Sequence, residues 1–448
     1  MSVTTGTFPG VRIVVMPDLG ALNDTSSVVG ERAGSGRFSA TQLRSYVLSN
    51  FAVTPQQYGA KGDGVANDTA AFNAALAAIA AQGGGKLYVP SGDYRITGPL
   101  TYASGWLKIE GAGKNTVMQF GSTTADFITF AGPDITLTDF SVATPFQTST
   151  GGGLFNFTNS NNAKLNRIWT DGGYEIVQFG GDAAHIAYRT SITDCNFVNV
   201  MQNGVFYSAA YGGMGFISDT EMLGAPTNIN GSGIIIEAGD TFSFTNVNIA
   251  AFKFGVNVIS VFLTGGYNYV ANIFAANVLC DGAGSGDVAG LADGWFFDGT
   301  NAGTYVSRVH LSGCWAGTMG RNGFSIKNAT DVTFSNCIAI NNNGHGFHVA
   351  APSSDITFTG CTAAGNSVAT PNTNDGIHIS GVVTDFIVSN CRLKPLPTST
   401  ASQKYGLQIE AVAADRYVIT NNNVHGNMTG GILDGGTGVS KIVSQNIT

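Results

Sequence analysis

From about residue 107 onward one four-residue pattern recurs: an apolar residue, two small or polar residues, then an apolar residue or Cys. It reads Leu137-Thr-Asp-Phe, Leu165-Asn-Arg-Ile, Ile192-Thr-Asp-Cys, Ile217-Ser-Asp-Thr and Phe244-Thr-Asn-Val, with a weaker copy near Phe274. It continues as Leu311-Ser-Gly-Cys, Phe334-Ser-Asn-Cys, Phe358-Thr-Gly-Cys, Val388-Ser-Asn-Cys, Ile419-Thr-Asn-Asn and Val443-Ser-Gln-Asn. A second pattern, Gly followed by apolar–any–apolar, precedes most copies by 11 to 13 residues, as at Gly153, Gly204, Gly233, Gly323, Gly346, Gly376, Gly406 and Gly431. Two alternating strand signals in each repeat describe one coil of a parallel β-helix. One face of each strand enters a stacked core, and Gly and Asn take the turns.

Composition agrees. Gly is 61 of 448 residues and charged residues are 11%, which suits many short strands joined by tight turns. A net charge of −8 with 21 basic residues argues against a nucleic-acid partner. No apolar run is long enough to span a bilayer, so no membrane insertion is expected. The six cysteines lack the close pairs of a metal site. Cys314, Cys337, Cys361 and Cys391 share one repeat position, which predicts buried thiols stacked down the core. Neither a phosphate loop, a dinucleotide fingerprint nor a serine nucleophile elbow is present, and no cofactor is expected.

Ahead of the repeats, Asn67 and Asp68 are N-cap residues, and Phe72, Ala75, Leu76 and Ile79 form one apolar stripe. Gly83-Gly84-Gly85 ends the helix they predict, which would lie across the open first coil and protect its strand edges. The surrounding strings are Tyr58-Gly-Ala-Lys-Gly-Asp-Gly, Asn67-Asp-Thr-Ala-Ala-Phe, Gly-Gly-Lys-Leu-Tyr-Val-Pro90, Gly92-Asp-Tyr and Leu107-Lys-Ile-Glu-Gly-Ala-Gly113. Together they resemble the opening of pectate-lyase-like right-handed β-helix proteins. The resemblance implies an all-β right-handed parallel β-helix, with cap and first coils in residues 51–113 and the solenoid in 114–448. It carries over no catalytic residue.

Residues 1–50 contain Met16-Pro-Asp-Leu-Gly-Ala-Leu, Ser27-Val-Val-Gly-Glu and Phe38-Ser-Ala-Thr-Gln-Leu. They are similar to the attachment segments of bacteriophage tail fibres and tailspikes. That resemblance implies a homotrimer bound to a phage tail or baseplate protein through residues 1–50, carried on the virion tail and directed at a bacterial surface glycan. Residues 1–18 have no basic start and only a four-residue apolar stretch, so no secretory signal is expected and the protein would be made in the host cytoplasm. The last repeat strand has no visible cap, so trimer contacts or a partner are expected to cover it.

Hydrolysis of a glycan usually uses two carboxylates roughly 5–9.5 Å apart. Elimination uses a base beside a uronate carboxylate, helped by a cation. Aligning the Gly-apolar-any-apolar strands gives three columns expected to face outward. The first is Asp293, Asn322, His345, Asp375 and Tyr405; the second Phe296, Ser325, His348, His378 and Gln408; the third Asp298, Lys327, Ala350, Ser380 and Glu410. Asp375, His345, Asp293 and Asp298 are the candidate catalytic residues. Arg321, His348 and His378 are candidate substrate contacts, and Trp295 and Trp315 candidate sugar-stacking platforms. Lys404 could add positive charge.

Gly344-His345-Gly346 and Asn372-Thr-Asn-Asp375-Gly resemble fragments of polygalacturonase motifs. Their order is reversed and the Asp pair between them is absent, so that mechanism does not carry over. The longest spacing, with Asp281, Asp287, Asp293 and Asp298, marks an insertion of the kind that lines a solenoid's groove. Asp281 and Asp287 have oxygen ligands suited to calcium but lack EF-hand spacing. Asp171, Glu175, Asp182 and His185 form a third acidic group. The expected function is a phage tailspike that recognises and depolymerises a polysaccharide, by hydrolysis ahead of elimination. The alternatives are a non-enzymatic adhesin on the virion tail and a free bacterial polysaccharide lyase or hydrolase.

Overall fold

The computed structural model describes residues 52–448 apart from 145–149, 159, 181–186, 226–230, 265–267, 283–291, 397–402 and 412–413. Before residue 52 it describes four strands, Thr4–Phe8, Val11–Val15, Ser27–Glu31 and Gly36–Ser39, which pair in chain order as an antiparallel sheet.

The rest is the right-handed parallel β-helix that the repeats predict. A 13-stranded parallel sheet takes one strand from each coil, and a 22-stranded sheet takes the others. A coil near the middle runs through Asp293–Asp298, Tyr305–Ser312 and Trp315–Gly317, called here the third, first and second faces.

The recurring tetrapeptide is the corner between the first and second faces. Its third residue has a left-handed backbone in successive coils: Asp139, Arg167, Asp194, Asp219, Asn246, Asn277, Gly313, Asn336, Gly360, Asn390, Asn421 and Gln445, with φ between 49° and 66°. Only Gly, and Asn or Asp at modest cost, adopts this conformation readily, so those residues dominate the position. The corner side chains then bond along the axis. Arg167 grips Asp139 through Nε at 2.6 Å and Nη2 at 2.8 Å, and Asn246 donates to Asp219 at 3.1 Å. Five residues before the corner, at another left-handed bend, Arg416 grips Asp385 at 2.6 Å twice.

Inside, like stacks on like. Phe130, Phe157, Phe179 and Tyr207 form a run with centroids 4.9, 5.2 and 5.3 Å apart, close to the strand spacing. Cys314, Cys337, Cys361 and Cys391 are free and buried, as their shared position predicts.

The capping helix is Thr69–Ala81, and Ala71, Phe72, Ala75, Leu76 and Ile79 are its buried residues. Its first turn is capped by Asn67, whose Oδ1 accepts from the Thr69 N–H at 3.1 Å and hydroxyl at 2.7 Å. Asp68 does not cap through its side chain. Its carboxylate instead accepts from the backbone N–H groups of Lys61 at 2.7 Å and Gly62 at 3.1 Å, fixing the preceding loop. Among the described residues no helix is long and apolar enough to cross a membrane.

The corner makes a direct demand on stability. Asn336→Val places a β-branched residue at φ 54° and is expected to cost about 1–2 kcal/mol, read as a lower thermal midpoint. Asn336→Gly, free to adopt that backbone, is expected to stay near the parent.

Candidate active site

The third-face strands bring the three columns into register across successive coils, but the first column does not face outward. Asp293, Asn322 and Asp375 are buried. Each accepts a hydrogen bond from the backbone of the next coil: Asp293 Oδ1 from the Asn322 N–H at 2.8 Å, Asn322 Oδ1 from His345 at 2.8 Å, and Asp375 Oδ1 from Tyr405 at 3.0 Å. His345 takes part through Nδ1, which accepts from the Asp375 N–H at 2.9 Å. Nδ1 is therefore unprotonated, and a neutral His345 carries its proton on Nε2. Buried backbone donors need partners, and this column supplies them.

The second and third columns face outward, except for Ser325, which is buried. His348 and His378 pair directly on neighbouring strands, with ring centroids 5.5 Å apart, and His345 stacks on His378 at 4.3 Å. His378 lies between two carboxylates: Nδ1 is 2.8 Å from Asp375 Oδ2 and Nε2 is 3.3 Å from Glu410 Oε1. Asp375 is 1% exposed and Glu410 43%, so the inner carboxylate orients the imidazole and the outer one meets solvent. Both imidazole nitrogens therefore face carboxylate oxygens. His348 Nε2 is 2.9 Å from the Ser380 hydroxyl.

The loop 365–376 runs beside this cluster. Ser367 Oγ accepts from the Asn374 N–H at 3.1 Å, and the Asn374 amide donates to the Asn343 carbonyl at 3.3 Å. This insertion follows a second-face strand, as does the one that holds Asp287.

Other sequence candidates have different roles. Asp293 is fully buried and gripped by Arg321, Nε to Oδ1 at 2.8 Å with a second contact from Nη2 to Oδ2, so the pair locks adjacent coils. Burial pushes the Asp293 carboxyl up while the guanidinium opposes that shift. Arg321 also lies over the Phe296 ring, 5.6 Å from its centroid. Trp295 is 0% exposed and stacks between Phe297 and Phe324, so it fills the core and offers no face to a sugar. Trp315 is half-buried but on the second face, in register with Leu279 and Ile338. Asp298 faces outward and caps its own turn, accepting from the Thr300 N–H at 2.9 Å. It stands four coils from Glu410 in the third column, roughly 19 Å. Asp281 accepts from the Thr318 hydroxyl, and half-buried Glu175 from the Asn203 amide at 2.9 Å. Asp182, His185 and Asp287 lie outside the described residues.

Glu410 belongs to the aligned third column but is not among the catalytic candidates chosen from sequence. Its partner His378 is the signal that singles it out. His345, Asp375 and His378 also have donor atoms within 4.8 Å of one another, a set transition metals can use. The Nδ1 atom of His345 and Oδ1 of Asp375 already hold backbone N–H groups, which makes this a hydrogen-bond network first.

Fold and site together define a pectate-lyase-like β-helix with an acid–base cluster on its third face. Residues 53–278 match the family described as rhamnogalacturonase A/epimerase, pectate lyase-like, and the chain belongs to that family. The match stops short of the His cluster. A 55-residue stretch is 47% identical to mannuronan C5-epimerase AlgE5 of Azotobacter vinelandii, covering 12% of this chain and 6% of the epimerase. Among solved structures, the A-module of mannuronan C-5 epimerase AlgE6 from the same organism shares 15% identity, with TM-score 0.59, over 88% of this chain and 98% of that one. Tailspike protein 3 of bacteriophage CBA120 shares 11% identity, with TM-score 0.63, over 94% of this chain and 66% of that one. At these identities the two structures speak to the fold.

The cluster's electrostatics give a pH prediction. Burial, then the neighbouring charges of His378 and His348, holds His345 well below the ordinary histidine range. Burial, then His378 and Arg321, lowers His348 to about 4. Both stay neutral in the fold, whereas an unfolded chain binds protons near 6.5. Their stabilisation is therefore complete above about pH 6.5 and is lost as pH falls toward 4. For His348 the loss is on the order of 3 kcal/mol. Thermal midpoints measured between pH 7 and 4.5 are expected to fall, and His348→Gln is expected to flatten that dependence.

Proposed function

We propose that the chain is a phage tailspike component that holds an acidic polysaccharide against its third face and cleaves it by elimination. The observation that carries the reaction type is the unequal exposure of the carboxylates. Glu410 reaches solvent, Asp375 and Asp293 do not, and Asp298 is too distant to complete a hydrolytic pair. One accessible base backed by imidazole suits proton abstraction better than paired-carboxylate hydrolysis.

In this mechanism Glu410 takes the proton from the sugar carbon beside a uronate carboxylate. The electron pair forms a carbon–carbon double bond as the glycosidic C–O bond breaks, and His378 Nε2 protonates the departing oxygen. Asp375 fixes the His378 ring and stabilises its charged form. Lys404, close to the Tyr405 ring at 5.5 Å, adds positive charge near the substrate carboxylate. Support for a glycan comes from the family, whose description covers rhamnogalacturonase and epimerase, and from the epimerase match. The virion role rests on the tailspike resemblance of residues 1–50, and the tailspike of similar fold supports it.

Incubation with uronate-containing capsule is expected to shorten the polymer and raise absorbance near ~235 nm, with Glu410→Gln slowing both by about 10²–10⁴. Shortening without new absorbance would replace elimination by hydrolysis, and binding without shortening would leave an adhesin. Sedimentation is expected to give a trimer mass, and deletion of residues 1–50 to abolish incorporation into virions. A stable monomer, or unchanged incorporation, would remove the tailspike part of the proposal.

A further inference from the structure

A second groove lies on the 22-stranded sheet, away from the His cluster. Tyr188, Met214, Asp240, Thr241, Tyr269 and Asn272 line a depression of about 590 Å³. Glycine makes the room. Gly213 sits between Tyr188 and Asp240 in the parallel register, with φ 134°, and a Cβ there would lie 2.0 Å from the Asp240 carbonyl oxygen. The Tyr269 ring continues the wall by stacking on Tyr305, 5.3 Å between centroids at 13°, and Tyr305 is 45% exposed.

The floor is polar and held in place. Arg308 Nε donates to Asn272 Oδ1 at 2.7 Å, and Asn272 Nδ2 donates to Asp240 Oδ1 at 2.6 Å. That chain fixes the exposed Arg308 guanidinium and leaves it further donors. A second exposed guanidinium, Arg189, stands 5.8 Å from the Tyr188 ring centroid. Ring faces with fixed hydroxyl and amide groups suit a pyranose, which has an apolar face and a polar rim. Two guanidinium groups beside them select one that carries a carboxylate, because Arg binds carboxylates bidentately.

We infer that this groove is a separate binding site for an acidic glycan chain, holding the polymer at a distance from the reacting centre. Arg308 and Arg189 take sugar carboxylates, and Tyr188, Tyr269 and Tyr305 take ring faces. The inference rests on the reading that the chain handles a polysaccharide, but not on catalysis. Its test is calorimetric titration of the full chain carrying Glu410→Gln, so that nothing is cut, with galacturonate oligomers, mannuronate oligomers and a neutral glucan oligomer.

Binding of at least one acidic oligomer is expected, weakened roughly tenfold or more by Tyr305→Ala and by Arg308→Gln. The neutral oligomer is expected to bind far more weakly. Equal affinity for neutral and acidic oligomers, unchanged affinity in both variants, or no binding of any acidic oligomer would overturn the inference. So would dissociation of an oligomer by Tyr305→Ala, since the groove would then be a subunit contact. Failure of the elimination chemistry would leave these titrations unaffected, so the two readings fail separately.

Discussion

Parallel coils stack only if each turn of chain returns to the same register, and here the left-handed corner enforces that return. A residue with φ near 55° recurs at one position in successive coils, and within several coils such residues also recur at five-residue intervals, as at Asp331, Asn336 and Asn341. These bends divide the chain into short, straight segments whose inward residues fall above one another. The aromatic runs, the buried thiols and the outward columns all follow from that alignment. The strain of a non-Gly bend is offset in part by bonds between equivalent bends, as in the Arg167–Asp139 fork at the corner and the Arg416–Asp385 fork five residues before it. These pairs are exposed, so their main contribution is register.

Most of the architecture was legible in sequence because the corner leaves a composition signature. Gly, Asn and Asp at the third tetrapeptide position reflect a backbone requirement that tertiary context cannot override. The capping helix was legible from its stripe and flanking residues, although the capping bond fell to Asn67 where Asp68 was an equal candidate. Trp295 shows a sign carried by the pattern itself. It follows Gly294, the position that the alternation assigns to the interior, and its size drew attention away from its place.

The site was legible as a group of columns but not in its roles. Asp293, Asn322, His345 and Asp375 share a position because they all accept a backbone N–H from the following coil, a requirement met by carboxylate, amide or neutral imidazole alike. A column of acids and histidines therefore resembles catalytic machinery when it is first of all structural. Asp375 serves both purposes, one oxygen satisfying Tyr405 and the other orienting His378. Glu410 becomes prominent only when the coil after Asp375 is placed beside it in space. A strand pattern gives the neighbourhood but not the hydrogen-bond direction.

The acceptor column also has a polarity. From Asp293 to Asp375, each side chain reaches toward the C-terminal side and receives the backbone of the coil that comes after it in sequence. A finished coil thus presents a ready socket to chain that has yet to fold, and the later coil offers no comparable side-chain acceptor back along this column. Growth in the direction of synthesis can satisfy each buried donor as it arrives. Growth in the opposite direction would leave those donors exposed until the earlier coil closed over them. The column thus ties each coil to the next by bonds of one fixed direction, from the later backbone N–H to the earlier side chain.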